Sequence, residues 1–132
     1  MEKQQLILEH PLHSRSSSII WQLISTAGGL KKWVADDATE QKDRIQFIWG
    51  DSWRHQEIRT AIILNKVKNK SITLRWDDET DDQAYLELQM LRNELTGDYM
   101  LRITDYALPE EEDALAQIWE QNLERLHHTT GL

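Results

Sequence analysis

"PEEEDALAQIWEQNLERLHH", residues 109–128, carries the pattern on which the fold turns. Leu115, Ile118, Trp119, Asn122, Leu123 and Leu126 recur at spacings of three and four. Such spacing gathers them on one side of an α-helix, with polar Asn122 inside an apolar stripe. Pro109 suits a first helical turn, where a missing N–H costs nothing. Four acids, Glu110 to Asp113, then stand at the positive end of the helix dipole. The helix is expected to reach about His127, roughly 18 residues or ~27 Å. A strand of about eight residues has the same length, so this helix can lie across a sheet. One stripe covers one face. The sheet must therefore curl around the helix to bury its own apolar side.

The segments upstream supply that sheet. Residues 3–12 alternate loosely and read as a strand ended by Pro11. In "SRSSSIIWQLIS", a serine at 16 to 18 can cap a helix. Ile19, Ile20, Leu23, Ile24 and Ala27 follow at helical spacing. Gly28 and Gly29 are expected to stop that helix through a left-handed cap, and Leu30 to Trp33 to form a second short turn. From about residue 42 to 106 the period changes to two. Ile45, Phe47 and Trp49 alternate, "GDSW" (50–53) is a hairpin signal, and residues 53–66 make a long strand. Ile72, Leu74 and Trp76 alternate next, then Leu86, Leu88 and Met90. "LTGD" turns the chain into a last strand at 98–106. The expectation is α+β: a six-stranded, curved antiparallel sheet around a long C-terminal helix, with two short helices after the first strand.

Length and composition bound the rest. The 132 residues suit one domain, 1–132. The net charge is −8, from 23 acids against 15 bases. Such a chain is a poor match for nucleic acid or anionic membrane, which both need a basic face. Without cysteine, disulfides and thiolate chemistry are excluded. No apolar run approaches the ~20 residues of a membrane span, so no membrane insertion is expected. The start "MEKQQLILEH" carries no small-residue cleavage site, and a cytoplasmic location is the expectation. Six tryptophans fit either a large core or an aromatic-lined pocket.

Four stretches resemble the START-like, helix-grip superfamily, which includes the birch-pollen-allergen fold and bacterial homologues of a chaperone ATPase activator. They are "SSSIIWQLISTAGGLKKWVAD" (16–36), "RIQFIWG" (44–50), "LRWDDE" (74–79) and "ELTGDYMLRITDYA" (94–107). The pair Ile20-Trp21, followed after a break by Leu30 to Trp33, matches the family's helix and Leu-x-x-Trp motif. The resemblance implies a hydrophobic cavity between the long helix and the sheet. Members bind lipids, sterols, polyketides or hormones; some cyclise or hydrolyse substrates, and others bind proteins.

Candidate residues follow from these patterns. Phe47, Trp49, Trp76, Tyr85, Leu101, Trp119 and Leu123 are expected to line a cavity through apolar and stacking contact. Trp33 joins them as buried core or cavity wall, and Asn122 would orient a ligand. No metal site and no cofactor are expected. Asp36 and Asp37 lack convergent ligands and read as solvated loop acids. "DDETDD" (77–82) lacks the glycine and glutamate of a calcium loop and reads as a solubilising turn. His55, Glu57 and Arg59 form a polar row that could line a cavity or, as favoured here, face water. No phosphate loop or nucleophile elbow appears. The first functional expectation is binding of a lipid or other apolar small molecule. The alternative is a protein-interaction domain, chaperone-activator-like or a homodimer, with a filled core. A cyclase or hydrolase comes third.

Overall fold

The structure is a computed structural model and describes residues 2–50 and 55–132. Its elements are β1 (Gln4–Pro11), α1 (Ser17–Ser25), α2 (Ala27–Leu30), β2 (Asp37–Gln41), β3 (Arg44–Trp49), β4 (Glu57–Val67), β5 (Ser71–Trp76), β6 (Leu86–Arg92), β7 (Tyr99–Ala107) and α3 (Glu112–Thr130). A 3-10 turn, Pro109–Glu111, leads into α3. The strands form one antiparallel sheet in the order β1-β7-β6-β5-β4-β3-β2. The α+β helix-grip expectation holds. Among the described residues the sheet has seven strands where six were expected. The extra one, β2, reads DATEQ and is exposed except at Ala38. A polar edge strand carries no alternation to detect. The turn expected at "GDSW" falls largely on residues 51–54, outside the described residues.

Period two decides which side chains meet. Ile45 and Phe47, Ala61, Ile72 and Leu74, Leu86, Leu88 and Met90, and Leu101 and Ile103 are all buried. The pairings Ile45 with Ala61, Ile72 with Leu88 and Leu88 with Ile103 put them on one face. Packed on that face are Ile20, Leu23 and Ile24 of α1 and Trp119, Leu123 and Leu126 of α3. Ile19 and Ile118, expected in the two stripes, are instead about half exposed, at 54% and 52%. A register shift between Ile63 and Asn65 bulges β4 at Leu64. Bulges of this kind bend a strand.

The helix break differs from the expected glycine cap. Helix α1 starts where Ser16 Oγ accepts from the Ile19 N–H. It ends at Ser25 because Thr26 is extended, at φ −121° and ψ 152°. Thr26 then caps α2, its Oγ1 accepting from the Gly29 N–H at 2.9 Å. Both glycines lie inside α2. Gly29 is required by contact: a Cβ there would stand 1.9 Å from the Gln22 carbonyl oxygen. At Gly28 a Cβ would meet nothing within 4 Å.

These neighbours should therefore respond oppositely to alanine. Gly29→Ala is expected to lower stability by roughly 1–3 kcal/mol or more through overpacking. Gly28→Ala should be neutral or raise it by up to about 1 kcal/mol, the helix-propensity gain. Urea denaturation of both variants checks this; equal effects would contradict the close approach of α2 to α1.

Candidate functional site

Five neighbouring strands and α3 share one cleft. It is lined by Val34, Trp49 of β3, Glu57 and Arg59 of β4, Trp76 of β5, Leu86 of β6, Asp105 of β7, and six residues of α3 between Leu115 and Arg125. Its volume is about 370 Å³. On a flat sheet, four inter-strand gaps of ~4.8 Å would hold β3 and β7 about 19 Å apart. They border one small cleft because the sheet curls beneath the helix. Trp76, Leu86, Asp105 and Trp119 make the inner wall, while exposed Glu57, Ile118, Gln121 and Arg125 stand at the mouth. A second cleft of about 240 Å³ adjoins it and shares Arg59, Trp76, Asp105 and Leu115.

The aromatic wall is built by register. Phe47 packs on Trp49 and Trp76 at ring-centre distances of 5.9 and 5.5 Å, and Trp49 lies 6.2 Å from Trp76. Such offset and edge contacts suit the ring quadrupoles. The Trp49 indole donates to the Val34 carbonyl at 3.0 Å. That bond fixes one indole plane at the wall. The Arg59 guanidinium lies over Trp76, 4.1 Å from its ring centre. Its Nη2 donates to Asp78 at 3.0 Å, and that bond holds the Asp78 carboxyl below the usual range.

Asp105 is the buried charge-bearing group. Its Oδ2 accepts from the Trp119 indole at 2.8 Å, and its Oδ1 accepts from the Tyr106 N–H at 2.8 Å. Burial pushes its carboxyl above the ordinary range, against the opposing pull of those two bonds and of Arg59 and Lys3. Desolvation penalises the charged form more than the two donors favour it.

The proposed lining set divides in this geometry. Trp49, Trp76, Trp119 and Asn122 border the larger cleft. Tyr85 borders the smaller one and packs on Tyr106 at 5.0 Å. Trp33, Phe47 and Leu101 are sealed in the core at 0%, 0% and 1% exposure. Trp33 donates to the Leu23 carbonyl at 2.9 Å and packs on Trp119 at 6.0 Å. Leu123 faces a separate groove with Leu8, His10 and His127.

Of the polar residues of the cleft, sequence reasoning named Asn122 but passed over Asp105 and favoured water for Glu57 and Arg59. Asp105 follows Leu101 and Ile103 at period two, so a signal was present: an acid in phase with a buried face. Arg59 and Glu57 stand likewise in phase with Ala61. They line the cleft where water was favoured, and His55 lies outside β4, exposed. The acids 77–82 are also more than a solubilising turn. Asp78 holds Arg59, Glu79 pairs with Lys3 at 2.6 Å, and Asp81 accepts from the Lys3 and Gln83 backbones. Asp36 and Asp37 are exposed, but Asp36 accepts from the Gly50 N–H at 2.7 Å, and Asp37 begins β2. Among the described residues, no group of three or more His, Asp or Glu is placed to hold a metal ion. No helix among them is long and apolar enough to cross a membrane.

A curled antiparallel sheet with a helix across its open face, and a cleft between, defines a helix-grip domain. The chain belongs to the START-like superfamily, whose domain model matches residues 1–132. A solution structure of protein BfR322 from Bacteroides fragilis is 36% identical, with a TM-score of 0.64 over 98% of this chain and 92% of that one. The Aha1 dimer from Colwellia psychrerythraea is similar in fold, with 18% identity, a TM-score of 0.73, and 97% and 98% of the chains covered. An uncharacterised Bacillus thuringiensis protein aligns at 12% identity and a TM-score of 0.75, covering 95% and 97%. No curated protein matches the sequence.

The state of Asp105 has a readable consequence for stability. Its folded pKa lies above its unfolded one, ordinarily ~3.9. Its contribution is then full at low pH and is lost as pH rises through the elevated value. In Asp105→Asn nothing titrates there. The stability of that variant relative to the parent should rise between about pH 4 and neutrality. Paired urea denaturations across that range check this; a constant difference would contradict a desolvated carboxyl.

Proposed function

We propose that this START-like unit is a cytoplasmic binding domain for an apolar small molecule, held between α3 and the sheet. One observation carries the reading: the 370 Å³ cleft, walled by the indoles of Trp49, Trp76 and Trp119. Ligand sites for small molecules commonly offer ~300 Å³ or more, with a few polar groups among apolar walls. Here the polar groups are Arg59, Asp105 and Asn122, in the place where an orienting contact is needed. Tyr85 extends the wall into the adjoining cleft. Trp33, Phe47 and Leu101 act behind the wall, fixing its shape, and Leu123 holds α3 in place.

A homodimer is the second reading. It is favoured by the likeness to the Aha1 dimer and by Ile58, 54% exposed on the outer sheet face opposite Ile48. The two readings are compatible, because that face points away from the cleft.

The test uses N-phenyl-1-naphthylamine, a neutral apolar dye that fluoresces when removed from water. The parent protein should bind it saturably. Leu115→Trp, which fills the space shared by the two clefts, should weaken binding at least ~10-fold, the loss of about 1.4 kcal/mol. Native mass spectra of freshly purified protein should show an adduct of ligand size that this variant lacks. No dye binding and no adduct would overturn the ligand reading.

A further inference from the structure

We infer that the ligand is an acid: a flat apolar ring system whose carboxylate or similar anionic oxygen group meets Arg59. This rests on the reading of the cleft as a ligand site, and adds the chemical class. Arg59 borders both clefts, with Trp76, Asp105 and Leu115. Its position is fixed twice. The face of the guanidinium lies on the Trp76 ring at 4.1 Å, and Nη2 is bound to Asp78 at 3.0 Å. A stacked guanidinium keeps its N–H edges in plane and available. It offers five N–H donors, and among the described residues Asp78 is its recorded hydrogen-bond partner. Among the described residues, a second edge is thus left for an acceptor from the cleft. Asp78 competes weakly, because its side chain is 62% exposed and surface ion pairs are screened by water.

The remaining charges favour the same class. Both Asp105 oxygens are already engaged, accepting from the Trp119 indole and the Tyr106 N–H, so its charge is met by donors of its own. Lys3 in the smaller cleft is already paired with Glu79. At the mouth, Arg125 lies 3.9 Å from Asp36, and Glu57 is the exposed acid on the rim. Arg59 is therefore the fixed cation of the inner wall. Three indoles, Trp49, Trp76 and Trp119, border the same cleft and give it an aromatic boundary suited to a planar ring. A cationic ligand would meet Arg59 itself over the ring best suited to receive it.

The experiment compares three probes of one shape by calorimetry: 2-naphthoate, the neutral 2-naphthamide and the cation 2-naphthylmethylamine. The parent should bind naphthoate at least ~10-fold more tightly than the amide, and the amine most weakly, in line with a charge-assisted hydrogen bond. Within the Arg59→Gln variant the preference for naphthoate over the amide should fall at least ~10-fold, to near parity. Arg59→Lys, which keeps the charge but not the fork, should retain part of the preference; this second variant, checked by circular dichroism, guards against misfolding of the first. If the amide or amine binds as tightly as naphthoate, or if Arg59→Gln keeps the preference, the acid inference is overturned while the cleft still binds. If no naphthalene probe and no neutral dye binds, the cleft reading falls, and the inference with it.

Discussion

The fold depends on one side chain with two obligations. Trp119 must bury its ring against Trp33 and deliver its indole N–H to Asp105. Trp33 is itself held by the Leu23 carbonyl. Three distant segments, α1, β7 and α3, are thereby joined at one point. Burying an indole removes roughly 150–250 Å² from water, worth about 4–6 kcal/mol at ~25 cal/mol per Å². An unpartnered N–H in the same place would cost about 1–3 kcal/mol. The ring can therefore dock only where a carboxyl or carbonyl awaits it, and that requirement sets how α3 lies over the sheet.

The inner face of the sheet is divided along its length. At one end Ile72, Leu74, Leu88 and Met90 are closed over, with α1 packed on β5 and β6. At the other, β5 and β6 offer Trp76 and Leu86, beside Glu57 and Arg59 of β4 and Asp105 of β7, under α3. Close packing governs the first end. At the second, polar groups and a cation cannot be packed dry at low cost, and the space stays open as a cleft. The aromatic residues serve both ends: Phe47 seals the core, and its neighbours Trp49 and Trp76 face the opening. Site and core are thus one row of side chains read from two directions.

How much of this was legible depended on periodicity. The stripe of α3 and the alternations around Phe47, Leu74, Leu88 and Leu101 announced a sheet gripped by a helix, because apolar phase is fixed by burial. β2 was hidden, since a polar edge strand is held by backbone bonds that leave no mark on side-chain pattern. The end of α1 was misassigned to glycine because the extended Thr26 cap and the Gly29–Gln22 approach are tertiary facts. The cleft was half legible. Its tryptophans and Asn122 stood out, whereas Arg59 was favoured to face water and Asp105 was passed over, although each is in phase with buried neighbours. Which aromatics face space and which face one another, as with Trp33 against Trp49, is decided by the curl of the sheet and is not written in spacing.

The docking of α3 can be read directly from the Trp119 indole by nuclear magnetic resonance. With α3 in the grip of the sheet, its N–H should exchange far more slowly with solvent than that of free tryptophan. It should also show nuclear Overhauser contacts to the Trp33 ring, 6.0 Å away between centres. A Trp119 indole exchanging at the free rate, with no contact to Trp33, would mean that the helix does not close the sheet, and the cleft would not exist.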